Sequence, residues 1–461
     1  MVMKRILLSV AALLVMHTAT FSQCNAPIIN SFDPVTGFIG SKVKIFGANF
    51  DVTPSNNEVW FGATEAQIVS ASFGQLEVIV PVGATTDLIS VKNSCNTIAY
   101  SKAQFNGIFC PTPLNANTYN SVDFKLGGSG VSGAYNLLCQ DLDNDGKPEV
   151  VSVSHSSGMT VAKNNSTPGN LSFSAINYSR PGRGVDAADF DGDGKIDLLI
   201  PWNTEVYVMR NTSTPGNIVL SQVLVSYWNA YQACVGDFNR DGKVDIAIGN
   251  QDYGGYVKIL INTSTGPGSI SFSDGAWLYS GANSYLTGMH SADLDHDGWM
   301  DIVGTQRSHN RAWSFRNTTT TAGANPSFAA VEGWSTGGTQ PYRCMLADFD
   351  KDGKMDLTTC NYSGTYNTAI LHNTSTPGDI QFSSPINSGS PNCNYRIGVG
   401  DADGDGYPDI ITKSACEDKF SIYKNTSTGP GNISMATRIE YTSGWGGEVS
   451  GLAIGDLDGD Y

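Results

Sequence analysis

One arrangement of acids recurs along the chain: Asp-x-Asp-x-Asp-Gly-x-x-Asp, followed by a short apolar run. Three carboxylates at alternate positions can converge inside one turn. Glycine at the sixth position allows the positive φ of a sharp bend. A fourth carboxylate at the ninth position closes the set, and the seventh position offers a backbone carbonyl. Such a donor set suits a hard cation that takes six to eight oxygens, and Ca²⁺ is its natural occupant. The ligand positions of the first three copies are Asp141, Asp143, Asp145 and Glu149; Asp189, Asp191, Asp193 and Asp197; and Asp237, Asn239, Asp241 and Asp245. The next three copies supply Asp293, Asp295, Asp297 and Asp301; Asp348, Asp350, Asp352 and Asp356; and Asp401, Asp403, Asp405 and Asp409. A seventh copy begins with Asp456, Asp458 and Asp460, and the sequence stops inside it.

Two competing readings fail on the residues. An EF-hand needs a bidentate Glu at position twelve and flanking helices. Position twelve here is Ser152, Ile200, Ile248, Thr359 or Thr412, in β-type surroundings. A plain Asp-Gly hairpin turn explains one copy, but not six complete copies in which only Glu149 and Asn239 replace Asp at a ligand position. Mg²⁺ demands a stricter octahedron and keeps more water.

The loops must be positioned by the elements between them. Successive loops start 48, 48, 56, 55, 53 and 55 residues apart. A second signature follows in the units: NNSTPGNLSF at Asn164, NTSTPGNI at Asn211, NTSTGPGSISF at Asn262, NTSTPGDIQF at Asn373 and NTSTGPGNI at Asn425. The version at Asn317 diverges. Its Asn, Ser, Thr, Pro and Gly are turn chemistry between β-branched runs. A period near 50 made of strands and turns predicts a β-propeller with four strands per blade. In the third unit these are 232–236, 246–249, 256–262 and a strand from 270. Residues 121–127 read as a fourth strand that precedes the first loop. The expected ring therefore has seven blades, the seventh built from both chain ends and truncated here, so the chain reads as part of a longer protein.

These motifs resemble the FG-GAP/VCBS repeats of integrin α-chain propellers and of bacterial secreted propellers. The resemblance implies calcium in loops on one face and ligand binding on the opposite face. Residues 26–107 follow another pattern, with short alternating strands and Gly and Pro turns, which predicts a small Ig-like sandwich. Pro34, Gly37 and Gly40 before VKIFGANF, then VWFG and VPVGA, resemble the IPT/TIG family, which is structural or binding. The expected organisation is an all-β chain: a signal peptide at 1–23, the IPT/TIG domain at 24–107, a linker at 108–117 and the propeller at 118–461. Lys4 and Arg5 before the apolar run 6–16 carry the signal-peptide reading, and hence export to the cell surface or medium.

The chain holds 27 Lys+Arg against 43 Asp+Glu, a net charge of -16. That balance excludes a phosphate-backbone partner, which needs clustered basic residues. Of the 43 acids, 26 occupy loop ligand positions, and six divalent ions would bring the charge from -16 to -4. The six histidines show no metal-protease spacing. The expected function is non-catalytic: a binding or adhesion module for an extracellular protein or glycan. The alternative is a polysaccharide lyase or hydrolase, or its substrate-targeting portion. Candidate ligand residues lie just before the loops, at the strand ends away from calcium: Trp228, Tyr231, Tyr285, Trp334, Tyr342, Arg343, Tyr395, Arg396 and Trp445. Export suggests disulfides among the nine cysteines. Hairpin symmetry predicts Cys344 opposite Cys360 and Cys393 near Cys416, and Cys24 would pair with Cys95. Cys110, Cys139 and Cys234 are left without an assigned partner.

Overall fold

The computed structural model describes residues 25–62, 64–81, 84, 87–94, 97–108, 134–250, 254–281, 285–364, 366–387, 394–414, 416–417, 419–442, 451–455 and 457–458. The leader, most of the linker, the strand at 121–127, Cys24, Cys95, Cys110, Cys393, Trp445, Asp456 and Asp460 lie outside the described residues. Among the described residues the regular elements are β-strands and two single-turn 3-10 helices, and no helix is long and apolar enough to cross a membrane.

The N-terminal domain is a sandwich of one four-stranded and one five-stranded sheet. Alternation along Lys42–Ala48 and Gln75–Ile79 turns Val43, Ile45, Leu76 and Val78 inward, where all are fully buried with Phe61, Ile89, Val91 and Phe105. Burial of each such side chain is worth about 1.5–3 kcal/mol.

Six further four-stranded antiparallel sheets follow, each in chain order, within 134–178, 186–226, 230–279, 286–335, 338–387 and 394–442. These are the first to sixth blades. In the third blade the strands are Ala230–Gly236, Asp245–Asn250, Tyr256–Asn262 and Phe272–Tyr279. The second strand is buried at all six positions, whereas the fourth is mostly accessible. A propeller blade is covered on both faces, so its inner strands read as continuous apolar runs. The two-residue period then deals successive residues to different cores. Ile246 and Ile248 pack with Leu199 and Val208 of the second blade. Ala247, between them, packs with Ile302 and Trp313 of the fourth.

Residues 451–455 lie between the sixth and first blades. Leu452 and Ile454 press on Gly398 and Gly400, and a side chain at Gly451 would collide with Leu137.

The cysteine expectation fails at Cys344 and Cys360, which are both free thiols. The hairpin pairs Ala347 with Asp356, so Cys344 faces Thr359, and a bulge before Arg343 shifts the register again. A one-residue slip turns a side chain to the other face. Cys344 accordingly sits in the core between the fourth and fifth blades, and Cys360 in the core between the fifth and sixth. Cys139 and Cys234 are buried thiols outside any disulfide. Cys416 is disulfide-bonded.

Candidate metal centres and ligand face

Each aspartate loop joins the first and second strands of its blade. Two of its residues adopt left-handed φ. Position six is glycine in all six complete loops, as at Gly146 (84°) and Gly353 (88°). Position four is left-handed too, including the non-glycine Asn144, Arg240, His296 and Lys351 at 54–61°. Strain at position four is invisible in a motif that leaves it free.

The carboxylates are fixed by backbone N–H groups. Position one accepts from positions five and six, as in Asp145 N to Asp141 Oδ1 (3.2 Å) and Gly146 N to Asp141 Oδ2 (2.8 Å). Position five accepts from position seven, as in Lys354 N to Asp352 Oδ1 (2.8 Å). The ninth residue is 0% exposed in all six loops. Its two oxygens take separate donors: Phe190 N (3.1 Å) and Asn211 N (2.7 Å) at Asp197, with the same pair of positions in the other blades. It thus braces the loop against the third strand as well as offering oxygen inward.

Oxygens of positions one, three and nine converge within 4.8 Å in the first, second and fifth loops, and those of one, three and five in the fourth. Such buried clusters could hold a metal ion. Burial first, and repulsion between neighbouring carboxylates second, pushes Asp189 up to about 7, Asp245 to about 8 and Asp356 to about 8. Mutual repulsion is therefore the smaller effect. Oxygen-only, multiply acidic and pre-folded, the donor set fits a hard divalent cation.

A basic side chain sits just before the signature asparagine in five units: Lys163, Arg210, Arg316, His372 and Lys424. Arg210 Nε lies 2.5 Å from Asp191 Oδ2 and its Nη2 lies 3.1 Å from Asp193 Oδ2. His372 Nε2 lies 3.3 Å from Asp350 and 3.4 Å from Asp352. In the third unit this position is Ile261, and the same loop has Asn239 in place of an acid. The missing base and the missing acid coincide.

The second signature proves to be more than a turn. Its asparagine is buried in every blade, at 0–2% exposure. In the second blade Asn211 Nδ2 donates to Ile196 O of its own loop (2.9 Å) and to Leu142 O of the preceding blade's loop (2.7 Å). Asn262, Asn317, Asn373 and Asn425 repeat this bridge to Phe190, Phe238, Leu294 and Phe349. The glycine of the turn then donates to position three of the preceding loop, as Gly216 does to Asp143 (2.9 Å) and Gly268 to Asp191 (2.7 Å). Each loop is clasped by the next blade. Asn164 makes the same bridge to Leu457 (2.7 Å), and Gly169 donates to Asp458 (3.1 Å), so the seventh loop joins the first blade by the rule that joins the others.

The N-terminal domain docks on the loop face, which the sequence did not disclose. Trp60 packs beside Gly194, Tyr100 joins the core of Ala188 and Phe190, and Glu65 N approaches Asn144 Oδ1 (3.4 Å). Lys102 Nζ lies 2.9 Å from Asp293 Oδ2. Asp293 is the exception among the first-position acids. It is buried, and neither of its oxygens accepts an aligned hydrogen bond.

The opposite ends of the inner strands carry the other candidates. Tyr342 is 8% exposed and packs on Tyr395, centroids 4.2 Å apart. Arg343, Tyr231 and Arg396 gather near the axis, with Arg343 Nη1 donating to Gln232 Oε1. Tyr285 lines a depression with Arg307 and Gln340. Trp228 packs edge-on against Trp277 (4.7 Å), with Lys258 Nζ 5.8 Å from its ring. Trp334 packs on Phe382 between the fourth and fifth blades, on the outermost strand, so it does not join this group. Sequence reasoning overlooked Tyr227, Tyr256, Trp277 and Tyr279, which are 74%, 37%, 53% and 50% exposed. All four belong to the second and third blades' last connection and the third blade's outer strands. The readable signal was Trp277 and Tyr279 at the end of a fourth strand, whereas the sequence candidates were taken from residues preceding the loops.

No curated protein matches the chain. Among solved structures, an auxiliary nutrient-binding protein of Bacteroides thetaiotaomicron is similar at 13% identity and TM-score 0.37, over 84% of this chain and 95% of its own. A lectin of Agrocybe aegerita specific for non-reducing terminal N-acetylglucosamine shows 18% identity and TM-score 0.46, over 78% of this chain and 89% of its own. A rhamnogalacturonan lyase of Bacillus licheniformis shows 12% identity and TM-score 0.36, over 88% and 75%. The FG-GAP-like repeat matches residues 141–200, 237–304, 293–359 and 348–412, and the IPT/TIG domain matches residues 27–106. With the repeat covering more than half of its length, the chain belongs to the FG-GAP-like repeat family and carries an N-terminal IPT/TIG domain.

Proposed function

We propose that this chain is an exported, calcium-stabilised, non-catalytic binding module whose ligand is an extracellular glycan. The observation that carries the ligand assignment is the aromatic platform of Tyr256, Trp277 and Tyr279, exposed on the strand ends opposite the aspartate loops. Exposed rings with polar edges stack on sugar faces, and large aromatic side chains are rarely left in water without such use. Their mutual packing, with Tyr256 and Tyr279 centroids 5.1 Å apart, holds the surface rigid. A rigid surface loses little entropy on binding.

In this reading the loops take Ca²⁺ and lock neighbouring blades, so the metal serves the fold and the far face serves the ligand. Residues 24–107 form the docking domain, 108–117 the linker and 118–461 the propeller, with a seventh blade completed by residues 121–127. The bridges from Asn164 and Gly169 to the seventh loop support the ring closure. A glycan array tests the assignment. Trp277→Ala with Tyr279→Ala should remove retention on the glycans bound by the parent chain, while the calcium-dependent rise in melting temperature persists. Full retention by that double variant would reject the platform.

A further inference from the structure

The channel mouth opposite the aspartate loops gathers cationic groups from blades that are not neighbours. Arg343 of the fifth blade donates to Gln232 of the third, so this bond reaches past the fourth blade. Arg183, entering the second blade, bonds His155 Nε2 (2.9 Å) of the first and lies 5.2 Å from the Tyr231 ring centroid. Arg396 of the sixth blade lies over Tyr395 at 4.5 Å.

The inner strands are shaped to do this. The ladder breaks register between Ala230 and Gln232, between Pro341 and Arg343, and between Asn394 and Arg396. The extra residue is Tyr231, Tyr342 or Tyr395, and a bulge of this kind re-aims side chains. The residues that follow are Gln232, Arg343 and Arg396. The fourth blade breaks at the same place with Thr287 and Gly288, which leaves space.

Arg396 is buried, Arg343 is half-buried, and the Arg343 charge acts on Arg396. Burial first, and then the Arg343 charge, lowers Arg396 to about 10, while the groups favouring its charge are Tyr231, Tyr395 and Cys360. Among the described residues Arg343 forms no ion pair; tyrosines and cysteines surround it instead. Gln232 is 4% exposed and its Nε2 donor has no acceptor. Buried donors without acceptors are rare in native proteins. Planar guanidiniums and an amide N–H match the planar fork of a carboxylate.

We propose that this mouth binds the carboxylate of a uronate sugar, held by Arg343, Arg396 and Gln232 Nε2, as part of an acidic glycan. The assignment rests on the glycan-binding reading above and names its chemical class. The tyrosines beside the guanidiniums supply the apolar face a sugar ring needs.

Titration calorimetry at saturating Ca²⁺ tests it with three probes: an oligosaccharide ending in glucuronate, its carboxyl-reduced counterpart ending in glucose, and inorganic phosphate. The acid should bind at least tenfold more tightly than the reduced form, and millimolar phosphate should not displace it. Arg343→Gln with Arg396→Gln should lose at least tenfold for the acid and nothing for the reduced form, whereas Trp277→Ala should weaken both. Gln232→Leu, a milder change that keeps both arginines, should lower acid affinity about threefold even where the double variant folds poorly. Equal binding of acid and reduced forms would overturn the uronate site and leave the glycan reading standing. Displacement by phosphate would assign the mouth to phosphate instead. Binding of neither oligosaccharide would remove both readings.

Discussion

Asn211→Ala probes the clasp between blades. Asn211 is fully buried and makes three hydrogen bonds: Nδ2 to Leu142 O (2.7 Å), Nδ2 to Ile196 O (2.9 Å), and Oδ1 from Ser213 N (2.9 Å). Alanine leaves two carbonyls and one N–H buried without that partner. Each orphaned group costs about 1–3 kcal/mol, so after partial relaxation the loss should be about 3–5 kcal/mol. At roughly 2–4 °C per kcal/mol for a large domain, the melting point should fall by about 6–20 °C. Asn211→Asp should be no better, because it replaces the donating NH2 group with an oxygen facing two carbonyls, next to buried Asp197. Asn165, also within the signature, is exposed, and Asn165→Ala should cost no more than about 0.5 kcal/mol. Urea denaturation of the three variants at saturating Ca²⁺ measures these differences. A loss below about 1 kcal/mol at Asn211, or equal losses at Asn211 and Asn165, would refute the clasp.

Two further outcomes follow from the electrostatics. Asp141, Asp189 and Asp409 are pushed up to about 7 and Glu149 to about 8, mainly by burial. Their folded values exceed the ordinary carboxylate range, so the folded chain binds more protons than the unfolded chain between about pH 4 and 8. In chelator, stability should be greatest near pH 4–5 and decline as pH rises to 8, while the gain from added Ca²⁺ should grow over the same range. Melting curves in chelator that rise from pH 5 to 8 would contradict this. Lys102 holds Asp293 against the docked N-terminal domain. Lys102→Met should raise calcium affinity at one site by about threefold to tenfold, and an unchanged calorimetric isotherm would count against competition at the fourth loop.

The loops and blades were legible because their signals are local. Spacing within nine residues defines the donor set, and two-residue alternation defines the strands. The clasp was not legible, since Asn211 reaches Leu142 and Asn425 reaches Phe349, partners many residues distant, through a segment whose composition reads as an ordinary turn. The thiol register failed because the hairpin pairs residues one position off the assumed symmetry, which sets Cys344 opposite Thr359 and Cys360 opposite Arg343. Docking of the N-terminal domain rests on Trp60, Tyr100 and Lys102, which fit a sandwich strand equally well with or without a neighbour. The channel arginines stood out in sequence, yet only the fold shows that Gln232 and Arg343 meet past the intervening fourth blade.

The central claim is that the acids serve as calcium ligands that lock the ring. Calorimetric titration of the chelated chain with Ca²⁺, with melting curves before and after, tests it most directly. The account predicts uptake of about six ions, one for each complete loop. It also predicts a clear rise in melting temperature, since each site filled at 100 times its Kd adds about 2.7 kcal/mol. Uptake of one ion or none, or a melting temperature that does not move, would contradict it.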